Sequence, residues 1–409
     1  MATNVEDEMD DDVVSTAVLD RTARLPEGDR RRWLAVVALG IGAFAIGTDM
    51  FAMAGMLGGI SRDLGVTVGA AGLTVTVFAL AYAIGAVLLS ALLGSWPLRR
   101  VLIGSAALFG ILSALSAVAP ALPALLAVRV LGALAASVYV PAACAAAVAA
   151  VPASHRGRAL SVILGGTATA MVLGAPLGVA LASRLSWRVA FGLVAVLAGA
   201  TVIALLLTRA GPGPLTRATV RERLRPMRSP AVVGVLGVTF LVMTASYSMY
   251  TYLPLQVAAG AGPLGLGLLI GAFGIGGMLG TWWGGTAADR SGPRRVILPA
   301  VAVLAVAFAA LPHVATTAAG APAVMVAWGI AAWAFVPAQQ HRLIGLGAGS
   351  APLLLALNSS AIHLGSAAGA LSGGLVVDTA GVGGLCVIAV ACCGAGLAVH
   401  GIFGREVLA

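Results

Sequence analysis

The sequence predicts an all-α membrane protein of twelve transmembrane helices arranged as two pseudo-symmetric six-helix halves. Three observations carry that prediction. The 409 residues are 60% apolar and 10% charged, with a mean hydropathy of +1.03, whereas a soluble domain runs about 45–50% apolar and about 25% charged. The apolar share, roughly 245 residues, suffices for about twelve spans at about 20 residues each. Finally, the charges outside the N-terminal tail gather in short clusters between the apolar runs, and one of those clusters recurs.

The elements follow in chain order. Residues 1–32 carry 14 of the 39 charged residues, with Glu6, Asp7, Glu8, Asp10, Asp11 and Asp12 ahead of Arg30, Arg31 and Arg32. They have no apolar run and no cleavage-site pattern, which reads as a disordered acidic cytoplasmic tail ending in a basic anchor. Apolar runs then occupy 34–58, 71–94, 101–119, 122–149, 159–182 and 188–208, the six spans of an N-terminal bundle over 33–208. A polar stretch, 209–229, holds Arg209, Arg217, Arg221, Arg223, Arg225 and Arg228 and reads as a basic cytoplasmic linker. Runs at 231–257, 264–287, 296–312, 318–338, 351–376 and 382–403 form a C-terminal bundle over 230–404.

All 24 basic residues are arginine. Counted on alternate sides, 20 share the side of the N-terminal tail, while Arg62, Arg184 and Arg188 lie opposite and Arg129 falls inside a span. The positive-inside rule therefore expects a multi-pass protein of the cell membrane with both termini and the linker cytoplasmic. The +9 net charge serves topology rather than nucleic acid. Cys144, Cys386, Cys392 and Cys393 fall within apolar runs and read as packing residues, with neither disulfide nor metal implied.

Internal repetition supports the two halves. The loop Gly94-Ser-Trp-Pro-Leu-Arg99-Arg100 after span 2 and the loop Asp289-Arg290-Ser-Gly-Pro-Arg294-Arg295 after span 8 end in arginine pairs 195 residues apart, close to the offset between the two bundles.

Asp49 is the single acid well inside a span, where a carboxylate is costly unless paired, hydrated or protonated. It lies 15 residues after Leu34, about 22 Å along a helix, and Arg129 lies seven residues into the antiparallel span 4. In a core about 30 Å thick these depths nearly coincide. The two are expected to face one cavity and to interact, as a proton-coupling site; the alternatives are a structural ion pair and an interfacial, water-exposed Asp49. A carboxylate beside an arginine holds its charge, and drying the cavity favours the neutral form, so such a group can load and release a proton. His363 in span 11 is a second titratable candidate, with packing as its alternative. For a cavity, span 7 offers Met243, Tyr247, Tyr250, Tyr252 and Gln256, and other spans add Tyr82, Tyr139, Met171 and Asn358. Gly271, Gly274, Gly277 and Gly280, and likewise Gly365, Gly369 and Gly373, have the spacing of close-packed helices.

Several of these segments match a known pattern. Gly285-Thr-Ala-Ala-Asp289-Arg290-Ser-Gly292-Pro-Arg294-Arg295 resembles the loop signature of the major facilitator superfamily, roughly GxxxDRxGRR. Gly174-Ala-Pro176-Leu-Gly178 is similar to the span 5 motif of that family's drug:proton antiporters. Gly47-Thr-Asp49-Met-Phe51, Arg129-Val-Leu-Gly132, Trp187-Arg188 and Leu357-Asn358-Ser359-Ser360 resemble twelve-span bacterial exporters, including chloramphenicol-type ones. The resemblance implies alternating access, a gating role for Gly285, Asp289, Arg290, Arg294, Arg295, Arg99 and Arg100, and a sealing role for the bend at Gly174, Pro176 and Gly178. It implies export of small hydrophobic or amphipathic compounds in exchange for protons, by one chain, with no cofactor beyond the proton gradient. Gly94 and Ser95 depart from the signature, which has Asp and Arg there. A sugar-like metabolite transporter and a non-transporting receptor on the same fold are the competing readings. Neither a phosphate loop, a metal-ligand cluster nor a nucleophile elbow occurs, so an enzyme is not expected.

Overall fold

The computed structural model describes residues 27–208, 219–257, 262–315, 317, 319–347 and 350–403. Of the acidic tail, residues 1–26 lie outside this description, as do 209–218 of the linker and Arg405. Twelve helices are long and apolar enough to cross a membrane. They are α1 (Glu27–Leu64), α2 (Val68–Leu92), α3 (Leu98–Ala117), α4 (Leu122–Ala150), α5 (Ala153–Arg184) and α6 (Trp187–Leu207), then α7 (Pro230–Thr251), α8 (Gly262–Ser291), α9 (Arg294–Val314), α10 (Gly320–Gly345), α11 (Ala351–Ala380) and α12 (Gly384–Phe403).

The packing is duplicated. In the first half α2 and α3 pack on α4, α3 packs on α6, and α1 packs on α5 and α6. In the second half α8 and α9 pack on α10, α9 on α12, and α7 on α11 and α12. Adding six to each helix number in the first set gives the second. The seam between halves obeys the same relation, since α2 meets α11 and α5 meets α8. The glycines of α11 allow it to lie directly on α7: a Cβ on Gly365 or Gly369 would press on the Phe240 or Thr244 carbonyl.

Three elements differ from the sequence reading. First, α1 runs 38 residues, about 57 Å, starting within the segment read as tail and continuing past residue 58. Gly58 and Gly59 do not stop it, because Asp63 beyond them accepts a hydrogen bond from Trp187 Nε1 at 2.8 Å. The helix ends instead at Gly65, φ +64°, with Val66 N–H returning to the Ser61 carbonyl at 3.0 Å. Second, the linker contains a short helix, Val220–Leu224, started by a capping box in which Thr219 and Glu222 bond each other's backbone N–H. The Thr219 N–H holds the exposed Glu222 carboxyl below its ordinary range. Third, α7 stops at Thr251, and a separate short helix, Leu253–Val257, follows; Pro254 has no N–H to continue the ladder.

Candidate functional site

Asp49 and Arg129 meet. Arg129 Nη1 donates to Asp49 Oδ1 at 2.7 Å and Oδ2 at 2.6 Å. Asp49 is 0% exposed and Arg129 4%. The guanidinium carbon stands 4.1 Å from the Phe78 ring centroid, from α2, and 5.5 Å from that of Phe191, from α6. The charge is thus balanced by a carboxylate and flanked by two π faces, which is how a buried cation is tolerated. Arg129 Nε, also buried, has no hydrogen-bond partner.

Two small cavities lie at the seam, and one of them is bordered by Arg129. The first, about 70 Å³, is lined by Phe51 of α1 and by Ser246, Tyr247, Tyr250, Trp328 and Trp333 of the second half, among others. The second, about 20 Å³, lies between Arg129 and Phe78 on one side and Tyr247, His363 and Ser366 on the other. Tyr247 borders both. At these volumes the space holds one or two waters, so the halves are drawn together around the site. Tyr250 donates its hydroxyl to the Phe51 carbonyl at 3.0 Å, a bond from the second half to the first. His363 stacks on Tyr82 across the seam, with ring centroids 4.0 Å apart.

Of the tyrosines expected at a cavity, Tyr247 and Tyr250 line the aromatic one, and Tyr82 lies in the seam beside it. Tyr139 does not reach it: its hydroxyl donates to the Leu39 carbonyl at 3.1 Å, in the core of the N-terminal bundle. Asn358 is likewise inside a bundle, accepting from Thr239 Oγ1 at 3.0 Å next to Gln339. The Tyr139 hydroxyl and the Asn358 Oδ1 bond neighbouring helices of their own bundle rather than the space between halves. Among the lining residues that sequence reasoning did not place at the cavity are Ser246, Phe273, Trp328 and Trp333. The tryptophans carried a usable signal, since they lie in mid-span, away from the interfacial belts where membrane tryptophans concentrate.

The span 5 motif lies beside the ion pair. Residues Ala170–Gly174 form a π-helical turn directly before Pro176. A proline both lacks an N–H and crowds the preceding turn, and a wider turn accommodates it. A Cβ on Gly174 would overlap Thr48, the neighbour of Asp49, and one on Gly178 would come within 2.6 Å of Ala52. Pro176 packs near Gly267 and Gly271 of α8, and a Cβ on Gly274 would lie 2.9 Å from the Met171 carbonyl. The motif therefore touches α1, the helix that carries Asp49, on one face and the opposite half on the other.

The seam closes toward the end away from the arginine clusters. Along α2 and α11 contacts run from Ala83, whose carbonyl accepts from Ser360 Oγ at 3.4 Å, to the last turn of α11. There the Asp378 carboxylate accepts from Thr67 Oγ1 at 2.8 Å and from Gly69 N–H at 3.3 Å, at the N-terminus of α2. A Cβ on Gly69 would overlap Asp378. At the arginine-rich end Asp289 is exposed and faces His341 of α10 at 3.7 Å, and Arg290, Arg294, Arg295 and Arg100 are exposed. Gly285 has open space before it. Arg99 donates to the Leu205 and Leu206 carbonyls, capping α6. In the second half a different arginine does that work: Arg342 donates to the Phe403 carbonyl at 3.0 Å and to His400 Nδ1 at 2.7 Å.

A model of the Major Facilitator Superfamily matches residues 39–370. The chain belongs to this superfamily. This major facilitator chain is 31% identical to the Inner membrane transport protein YdhP of Escherichia coli (strain K12) over 370 residues, 90% of this chain and 95% of that one. It is 32% identical to a chloramphenicol resistance protein of Streptomyces lividans over 344 residues, covering 83% and 88%. In fold it resembles a bacterial homolog of the human lysosomal transporter Spinster, with TM-score 0.70, 16% identity and 90% and 96% coverage. It also resembles the nucleoside transporter NupG, with TM-score 0.69, 12% identity and 92% and 99% coverage. It is a multi-pass membrane protein of a transporter family, and a small molecule is the class of substrate that family moves.

Proposed function

We propose that this chain is a proton-coupled exporter of small hydrophobic or amphipathic compounds that works by alternating access. The observation that carries the reading is the fully buried Asp49–Arg129 pair beside an aromatic cavity at the seam of the halves. With the arginine-rich end cytoplasmic, the closed end faces outward. In the cycle proposed, Asp49 takes a proton from outside while the outer side is open, which frees Arg129 from its counter-charge. Asp49 gives the proton up on the cytoplasmic side and pairs again with Arg129. The substrate moves the other way.

The α5 motif supports export. Gly174 packs on Thr48 and Pro176 on α8, so the turn that touches the acid's neighbour also seals the opposite half, giving the acid's helix a direct hold on the seam. The chloramphenicol resistance relative supports the same direction. The apolar character of the cavity speaks against a sugar-like substrate, because the carboxamides of Gln339 and Asn358 are turned into the C-terminal bundle. The test is uptake of chloramphenicol into inside-out vesicles with and without an imposed pH gradient. Accumulation that requires the gradient is expected. Facilitated equilibration indifferent to the gradient would refute proton coupling, and binding with no transport at all would favour a receptor.

A further inference from the structure

Away from the seam, the arginine-rich end of the first half holds a groove of about 1240 Å³ between α1, the end of α4 and the end of α6. With that end cytoplasmic, we infer that the groove binds an anionic phospholipid of the cytoplasmic leaflet. Its wall on α1 runs from Arg32 to Ile41, about 14 Å along the helix. Arg32 stands at the mouth with Pro152 and Thr208, which lie just beyond the last turns of α4 and α6, while Val37, Ala38 and Ile41 line the part that reaches into the membrane. A polar mouth at headgroup depth over an apolar floor fits a phospholipid, whereas an inorganic anion would use the mouth alone.

The second half shows that the fold does not require this opening. Its corresponding helices are α7, α10 and α12, and there Phe403, the last residue of α12, lies on Gly234 near the start of α7, where a Cβ would press on the ring. Arg342 holds the same residue through its carbonyl. In the first half the last residue of α6, Leu207, is 80% exposed, and the equivalent space is the groove. A lipid bound there packs the end of α1 against α6 as Phe403 packs α7 against α12. The charge is complementary as well. Among the described residues the lining includes an arginine and no acid. In sequence Arg30 and Arg31 precede Arg32 and Arg209 follows Thr208, against Glu27 and Asp29. Arg99 donates to the Leu205 and Leu206 carbonyls, which neutralises the negative end of α6 beside the groove. Basic pockets between spans on the cytoplasmic side take acidic headgroups in this way.

Native mass spectrometry of the purified full chain in detergent tests this, with phosphatidylglycerol and phosphatidylcholine of the same acyl chains titrated separately. Phosphatidylglycerol is expected to bind about tenfold more tightly. Arg32→Gln should reduce that preference severalfold, and Val37→Trp, which fills the groove, should weaken both lipids, with melting temperatures in detergent unaltered. Arg228→Gln, which removes an exposed arginine at the same end of the second half, should change neither affinity. Equal affinity for the two lipids, or a preference that Arg32→Gln lowers no more than Arg228→Gln does, would overturn the inference. Displacement of phosphatidylglycerol by inorganic phosphate would also overturn it, giving the mouth to a free anion. So would a preference that emerges only once the six acids between Glu6 and Asp12 are neutralised, which would give the groove to the N-terminal tail. None of these outcomes bears on the export reading.

Discussion

At the scale of single residues, Arg129 pairs with Asp49 inside the helix bundle and is itself held by Phe78 and Phe191. Removing one partner of a buried pair costs about 3–5 kcal/mol, because the remaining charge is uncompensated. Arg129→Gln should therefore lower the melting temperature near neutral pH. A melting temperature equal to that of the parent would contradict this. Sequence reasoning brought the two residues together through depth alone, by counting residues along antiparallel helices. It did not place Tyr139 and Asn358 correctly, because depth does not give rotation about the helix axis. Lipid-facing and protein-facing sides of these spans are equally apolar, and without a polar face the amphipathic pattern that orients a soluble helix is missing.

At the scale of elements, the ends of α2 and α11 away from the arginine clusters join the halves, and in the proposed cycle they act as a latch. Asp378 sits in the last turn of its own helix, where a negative charge is disfavoured by the helix dipole, and docks on the N-terminus of α2, where it is favoured. Docking relieves that conflict only while the outer end is closed. Gly69→Val, which places a side chain where Asp378 now lies, should shift the population toward outward opening. With single cysteines along the seam, its reaction with an impermeant thiol reagent from outside should rise severalfold over the parent; an unchanged rate would show that the latch does not bias the equilibrium. The latch was invisible in sequence because its partners are 309 and 311 residues apart and Asp378 lies two residues beyond the apolar run read as span 11. By contrast, the bend in α5 was legible, since glycine and proline act locally; the π-helical form of that bend was not.

At the scale of the molecule, twelve spans and two halves were legible from hydropathy and from one repeated arginine pair, because a bilayer requires every spanning segment to satisfy its own backbone as a helix. The linker helix at Val220–Leu224 also left a signature, Thr219 followed by Glu222 three residues on, within a stretch read only as a polar connection. The duplicated packing makes α2–α11 and α5–α8 symmetry mates, so in the proposed alternating-access cycle opening at one end and closing at the other would be a rotation of one half against its copy. The side assignment is open to a direct check. A cysteine placed in 209–229 should react with an impermeant reagent in inside-out vesicles and not in intact cells, and the reverse would invert the topology.

The central claim is that Asp49 couples substrate movement to protons, and the most direct measurement compares wild type with Asp49→Asn in inside-out vesicles, reading both pH-gradient-driven accumulation and gradient-independent exchange of labelled chloramphenicol. Asp49→Asn should lose accumulation while retaining exchange, because the cavity remains but the titrating group is gone. Accumulation by Asp49→Asn equal to that of wild type would contradict it.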